Sequence, residues 1–273
     1  MTVIAVGNQG GSAGKTTFVV NAAARLAEFL GCSVRVVDLD AQANASHWLG
    51  HALDPRPAAD QPQGQPTVSD VLFTGAALAD AARPVVDVEH LTVVPARRAE
   101  MEGADVTLSR ILGGEQKLRM AIAADPAPPA ITLIDCPGSL STVTVAALVA
   151  ADVAVTVFAP MEKEAGAVAA FEDTVGQVAQ AYNPTLRLAA VVPSIVPGGG
   201  GRYYSDVLDQ VRDGWGDLVT PPVRRSVRVP EAYSAQLPLS VYAPREEVTA
   251  DLAAVVDHLL AAGVVTGGAG AAR

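Results

Sequence analysis

The chain is short of several things, and each shortage excludes a class of protein. Cysteine occurs twice in 273 residues, at Cys32 and Cys136. Two isolated cysteines in stretches expected to be buried make no disulfide framework, which points to a reduced, cytoplasmic protein. Aromatic residues are only 4% of the chain, so the core has to be assembled from Val, Ala and Leu. No apolar run approaches the ~20 residues that span a bilayer. The first strand begins at once, with neither a basic n-region nor a cleavage site, so no export signal is expected. Lysine is the scarcest charge: Lys15, Lys117 and Lys163 stand against sixteen arginines, and the formal net charge is −10. Affinity for nucleic-acid backbones comes from clustered Lys and Arg. Any such surface here must therefore be an arginine surface, and its placement matters more than the total.

Aliphatic residue, by contrast, is abundant: half the chain is hydrophobic. It falls into short continuous runs, the mark of strands buried on both faces of a parallel sheet. Strands are expected at the N-terminus, at Ser33–Val37, Leu91–Pro95, Ile131–Asp135, Val153–Phe158, Leu186–Val192 and near Leu218–Val219. Between them, helical spacing marks a helix stopped by Gly31, a short helix Val68–Phe73 capped by Thr67, and a second piece through Ala82. Further helices are expected at Glu100–Leu112, Ser141–Ala151, around Val168–Val178, at Tyr203–Val211, and at the end with Val248, Leu252, Val255, Val256 and Leu259 on one face. Strands and helices alternate without a repeat or a dividing linker. The expectation is a single doubly wound α/β domain over 1–273, with a mostly parallel sheet and helices on both faces. The Pro/Gly/Gln-rich stretch 54–66 reads as a surface excursion and 267–273 as a disordered tail.

Three strand ends carry chemistry. The first reads Val3-Ile4-Ala5-Val6-Gly7-Asn8-Gln9-Gly10-Gly11-Ser12-Ala13-Gly14-Lys15-Thr16-Thr17. Strand, glycine turn and helix start form the order a phosphate cradle requires: backbone N–H groups converge on the oxygens and the helix N-terminus adds positive charge. Gly10, Gly11, Ser12, Ala13, Gly14, Lys15, Thr16 and Thr17 are the nucleotide-binding candidates, with Lys15 toward the β- and γ-phosphates and Thr16 toward Mg²⁺. The strict G-x-x-x-x-G-K-[ST] pattern is not met, because Gln9 stands where its first glycine belongs. A glycine turn that merely precedes a lysine is the plain alternative, and two further stretches weigh against it. Asp38 and Asp40, two apart at a strand end, point together toward the edge where open α/β sheets bind ligands. Asp135 ends another aliphatic run and is followed by Cys136-Pro137-Gly138, where a nucleotidase needs a carboxylate for the Mg²⁺ shell.

Together these motifs resemble the ParA family of chromosome and plasmid partitioning ATPases, within the ParA/MinD group of P-loop ATPases with a deviant Walker A motif. Asn8-Gln9, Gly14-Lys15-Thr16-Thr17 and Asn21 resemble that Walker A region. Asp38-Leu39-Asp40-Ala41-Gln42-Ala43-Asn44 is similar to switch I, D-x-D-P-Q-x-N, with Ala41 in place of proline. Ile134-Asp135-Cys136-Pro137-Gly138 resembles Walker B and switch II, with Gly138 where a second proline is common. Val229-Pro230-Glu231-Ala232 and Pro238-Leu239 are similar to the segment before the last helix. The family's signature lysine falls at Gly10, which puts the hydrolysis rate and the grip of a dimer in question.

The resemblance implies ATP and Mg²⁺ as cofactors. Lys15, Asp40 and Asp38 would be catalytic, with Asp40 positioning the attacking water and Thr17 meeting the α-phosphate. Thr16, Asp38 and Asp135 would serve the metal. Pro193 and the loop from Pro222 to Glu231 are candidates for the adenine pocket. Arg202, Arg224, Arg225 and Arg228 would contact DNA non-specifically; the alternative is that they pair with acidic neighbours. The implied partners are DNA, a ParB-like centromere-binding protein and a second copy of the chain when ATP is bound, in the cytoplasm at the nucleoid. Two other readings stand beside this one. The first is an ATP-binding relative that has lost or nearly lost turnover. The second, a MinD-like membrane-associated cell-division regulator, needs a basic amphipathic C-terminal helix, which 266–273 does not offer. An operator-binding helix-turn-helix ahead of the glycine loop is not expected, and cluster-bridging cysteines of a reductase iron protein are not in place.

Overall fold

The computed structural model describes residues 1–9, 13–53, 64–199 and 201–265, with 162–165 described by backbone alone. Gly10, Gly11, Ser12, most of the 54–66 excursion and the 267–273 tail therefore lie outside the described residues. Seven strands form one sheet: β1 (Thr2–Gly7), β2 (Val34–Asp38), β3 (Arg83–Pro84), β4 (Leu91–Val94), β5 (Ile131–Asp135), β6 (Val153–Phe158) and β7 (Leu188–Pro193). Their order is β3-β4-β2-β5-β1-β6-β7. Every neighbouring pair is parallel except β3 with β4, a two-residue antiparallel edge.

The helices are α1 (Lys15–Leu30), α2 (Asn44–Trp48), α3 (Val68–Phe73), α4 (Leu78–Ala81), α5 (Arg98–Met101), α6 (Ala104–Arg110) and α7 (Lys117–Ala123). They continue with α8 (Thr142–Ala150), α9 (Glu162–Ala181), α10 (Arg202–Trp215), α11 (Arg228–Ala235), α12 (Leu239–Tyr242) and α13 (Glu247–Ala261). They cover both faces because the central strands are largely apolar on both, with a few buried polar residues such as Arg35 of β2, which pairs with Asp125. On β1, Ile4 and Val6 join α1 and α13 in one core cluster, while Val3 and Ala5 join α8 and α9 in the other. The sheet is thus buried without alternation of polar residues, as a parallel sheet between two helix layers requires.

Local chemistry explains several boundaries. Gly31 ends α1 in the left-handed region at φ 57°, donating its N–H to the Ala27 carbonyl. Thr67 and Asp70 form a reciprocal capping box on α3. Three expectations are corrected. The helix expected over Glu100–Leu112 is two short helices, α5 and α6, broken at Glu102–Gly103, where glycine weakens helical continuation. The strand expected near Leu218–Val219 is a 3₁₀ turn over Gly216–Leu218, and Val219 keeps a single parallel bridge to Val191. Pro221 and Pro222 follow with no N–H to extend a ladder. Cys136 is buried as expected, but Cys32 is only half-buried.

The order of strands decides where a site can form. β1 and β2 are consecutive in the chain but separated in the sheet by β5. The connection from β1 therefore runs across β5 to β2 while that from β5 runs the other way across β1 to β6, opening a crevice beyond the carboxyl ends of β1, β5 and β2. The three motif-bearing turns all leave the sheet at that crevice.

Candidate active site

At the end of β1, Asn8 is buried and donates Nδ2 to the Val157 carbonyl at 3.0 Å. Its Oδ1 accepts from Lys15 Nζ at 2.8 Å, which fixes a lysine that is itself 7% exposed. Gly14 precedes that lysine at φ 89°, and a Cβ there would lie 2.6 Å from Ser194 Oγ. Both the backbone sign and the close approach of the β7 turn demand glycine. In α1, Thr16 Oγ1 donates to Asp135 Oδ2 at 2.7 Å. One turn on, Asn21 donates to the Thr17 carbonyl at 2.7 Å and accepts from Leu239 N at 2.7 Å, tying the phosphate-loop helix to the C-terminal segment.

Asp38 and Asp135 are register partners at the tips of β2 and β5, and both are fully buried. Burial lifts the Asp38 carboxyl to about 6, against hydrogen bonds from Ser46 that favour its charged form. Its Oδ2 accepts from Ser46 N at 2.8 Å and Ser46 Oγ at 2.6 Å, and its Oδ1 from Asp40 N at 3.1 Å. Burial, and then the Asp38 charge beside it, push Asp135 well above the ordinary carboxylate range. Asp135 Oδ1 is buried and has no hydrogen-bond partner among the described residues. A buried oxygen left unmatched beside a second raised carboxyl is costly. A cation or its water shell would satisfy that oxygen and draw both carboxyls to their charged forms. The residues present therefore fit Mg²⁺: Thr16 supplies a hydroxyl, and Asp38 and Asp135 supply charge behind it.

Beside this cluster lies a cavity of about 710 Å³ whose lining includes Lys15, Thr16, Asp40, Gln42, Gly138 and Tyr233, with Asp38 and Asp135 buried behind that lining. A second, of about 600 Å³, adjoins it through the shared residues Thr17, Ile195, Val229 and Pro230. Together they form a trough, with a charged end at the strand tips and an apolar end between the β7 turn and the start of α11. Pro193 and Pro222 do not line it. Pro193 is the last residue of β7, its carbonyl accepting from Val223 N at 2.8 Å, and the wall is formed by their neighbours Ser194, Ile195 and Val223.

Some of this was beyond sequence reading. Ile195 holds φ 57°, a backbone that β-branched residues rarely adopt, and it lines both cavities. Nothing in Pro-Ser-Ile-Val announces that turn. Ser46 meets Asp38 from eight residues away through the turn into α2, itself unexpected. α2 packs on α11 through Tyr233, whose hydroxyl lies 3.1 Å from Asn44 Oδ1 and whose ring meets Trp48 edge-on at 5.5 Å.

The four arginines separate. Arg224 pairs with Asp251, at 2.6 Å through Nε, and with Glu247. Arg228 pairs with Glu231 at 2.9 Å and Glu246 at 3.2 Å. Arg202 and Arg225 are exposed, and among the described residues neither pairs with an acid. Arg224 and Arg225 both line the second cavity. Among the described residues no helix is long and apolar enough to cross a membrane.

Comparison with known proteins accords with this geometry. An AAA domain family profile matches residues 1–188. The chromosome partitioning protein ParA of Caulobacter vibrioides (strain NA1000 / CB15N) is 34% identical over 248 residues, 89% of this chain and 87% of that protein. The sporulation initiation inhibitor protein Soj of Bacillus subtilis (strain 168) is 32% identical over 258 residues, 92% of this chain and 96% of that one. Among solved structures, cobyrinic acid a,c-diamide synthase from Mycobacterium smegmatis with bound ADP and magnesium is similar with a TM-score of 0.78. It is 28% identical, over 95% of this chain and 94% of that one. A phosphate loop with Lys15 and Thr16, two buried strand-tip aspartates and relatives matched nearly end to end lead to one family: the chain belongs to the ParA/MinD family of P-loop ATPases.

Proposed function

We propose that this protein is an ATP-dependent partition switch, which binds Mg-ATP, hydrolyses it slowly and changes its association with DNA and with itself accordingly. The observation that carries the reading is the unmatched Asp135 Oδ1, buried next to Thr16 and Asp38 at the crevice. Lys15 would give up Asn8 to meet the β- and γ-phosphates, with backbone N–H groups at the start of α1 supporting the same oxygens. Mg²⁺ held by Thr16, Asp38 and Asp135 would supply positive charge against that of the phosphates. Thr16 would turn its hydroxyl oxygen to the metal, while Asp38 and Asp135 hold the outer shell. Asp40 stands in the cavity with Gln42 N donating to its Oδ1 at 2.9 Å, placed to orient a water for in-line attack. Thr17 adjoins the α-phosphate position, and the apolar end of the trough would take the base.

The ATP-bound form would pair with a second copy and hold DNA non-specifically through Arg202 and Arg225. A ParB-like protein would stimulate hydrolysis and release. By the family resemblance, Gly10 stands where the signature lysine would fall. Cationic fingers in other P-loop enzymes are worth roughly 10³–10⁵ in rate, so basal turnover should be low and the dimer dependent on DNA. Size-exclusion chromatography with ADP and with a slowly hydrolysed ATP analogue, with and without DNA, tests this. The reading requires a larger species with analogue and DNA only; one elution volume in all conditions would remove the switch.

A further inference from the structure

Both nucleotide-facing loops touch one segment that lines neither cavity: the turn after β4 with α5 and the start of α6. At its first end, Ala96 N donates to Ser46 Oγ at 2.9 Å, and that hydroxyl donates in turn to Asp38 Oδ2 at 2.6 Å. In its middle, Arg98 donates to Gln42 Oε1 on the loop between Asp40 and α2. At its far end, Asp105 Oδ1 accepts from Val143 N at 2.9 Å. Val143 lies in the first turn of α8, the helix that follows the Pro137–Ser139 loop.

The far contact replaces a cap that the sequence fails to provide. Ser141 occupies the N-cap position of α8 but makes no capping bond, and its Oγ is buried without a partner among the described residues. The first-turn N–H of Val143 is therefore met from α6 rather than from within its own helix. The segment is itself anchored. Arg97 pairs with Glu100 at 2.6 Å, and Glu100 accepts from Thr67 Oγ1 at 2.8 Å and from Ser69 Oγ at the start of α3.

We propose that residues 96–105 form a brace holding both loops in one register, with Ser46 and Asp105 as the positioning residues through which it acts. A shift of either loop then has to break the buried Ala96–Ser46 hydrogen bond or the partly buried Asp105–Val143 one, or carry the other loop with it. The consequence for turnover rests on the Mg-ATP reading; the mechanical coupling does not.

The test is hydrogen–deuterium exchange on the full chain without nucleotide, combined with phosphate release from Mg-ATP. In Asp105→Ala, amides of 139–146 should exchange about fivefold faster, the effect of one lost cap. Those of 40–48 should also accelerate, by roughly twofold, while β1 and β5 stay protected and so report an intact fold. Asp105→Asn keeps an oxygen for Val143 N and should restore both loops. In turnover, kcat should fall in Asp105→Ala with KM within about twofold, the pattern of lost positioning rather than lost binding. Ser46→Ala should act in the opposite direction along the brace and Ser46→Thr should rescue it. Acceleration confined to 139–146, or an Asp105→Asn that behaves as the alanine, overturns the brace. Should Asp105→Ala unfold, the exposed Arg98→Gln takes its place, and unchanged exchange at 139–146 overturns the proposal equally. A wild type that does not bind Mg-ATP would remove the functional reading, while the exchange pattern still decides the brace.

Discussion

The strand-tip carboxylates and the Arg224–Arg228 segment are both clusters of like charge, and the structure treats them oppositely. Asp38 and Asp135 are fully buried side by side, and one Asp135 oxygen has no partner among the described residues. Arg224 and Arg228 sit on the outside, each held by two acids of the α11–α13 region. Burying two carboxyls together is expensive unless something else stabilises their charge, so that placement points to a ligand. An exposed arginine on a chain of net charge −10 finds a carboxylate nearby at little cost, and the pair is worth little to stability. Buried like charge is thus the stronger indicator of function, and an arginine count the weaker.

The largest effect that could break this contrast lies at Lys15, the cation of the buried cluster. Lys15→Ala should weaken Mg-ATP by about 100-fold or more, the loss expected when one member of a buried, hydrogen-bonded charge set is truncated. Isothermal titration reads it, and unchanged affinity would mean that the phosphates lie elsewhere.

The second effect is on stability in the absence of Mg²⁺. Asp38 titrates near 3.8 when unfolded and about 6 when folded, so the folded state binds the extra proton. The stability this group contributes is therefore complete below about pH 4 and is lost as pH rises through 6. That loss is on the order of 3 kcal/mol. Asp135, raised for the same reason, extends the decline upward. Urea unfolding in EDTA from pH 4 to 8 should show the decline, and added Mg-ATP should reverse it at neutral pH. Asp135→Asn should flatten the curve and raise the midpoint at pH 7. A metal-free stability that rises over that interval would contradict the buried-pair account.

The third sharpens the arginine side. If Arg202 and Arg225 are the DNA contacts, Arg225→Ala should reduce the slope of log affinity against log salt by about one on any sequence. Arg224→Ala, removing an arginine already neutralised, should change the slope by clearly less. Equal effects would mean that the ion pairs open on DNA.

The smallest concerns the seam between α2 and α11. Tyr233→Phe keeps the ring against Trp48 and loses the bond to Asn44, and should cost about 1 kcal/mol in urea unfolding.

What could be read in advance follows the same division. Aliphatic runs gave the six longer strands to within two residues, because a strand buried on both faces must be apolar throughout. Lys15, Thr16, Asp38 and Asp135 could be placed together because each follows or ends such a run. The short helices α2, α7, α11 and α12 were not legible: their N-cap positions Ala43, Gln116, Val227 and Pro238 carry no signal like the Thr67 that announced α3, and so few residues show little periodicity. Along the second cavity Pro193 and Pro222 drew attention but do not line the space; Val223, Val229 and Pro230, inside the 222–231 loop, do, while Ser194 and Ile195, just past Pro193, were not foreseen. Whether an arginine pairs with an acid from another element depends on tertiary packing, as Asp251 reaching Arg224 across 27 residues shows.

The most direct test of the account is single-turnover phosphate release by wild type and Asp40→Ala, with nucleotide affinity measured for both. Asp40 lines the cavity and, in the proposed reading, orients water rather than holding phosphate, so its removal should leave Mg-ATP affinity within about threefold and reduce the release rate by about 100-fold. Equal release by the two proteins, or no Mg-dependent binding by the wild type, would contradict the claim that the buried strand-tip cluster is a Mg-ATP hydrolysis site.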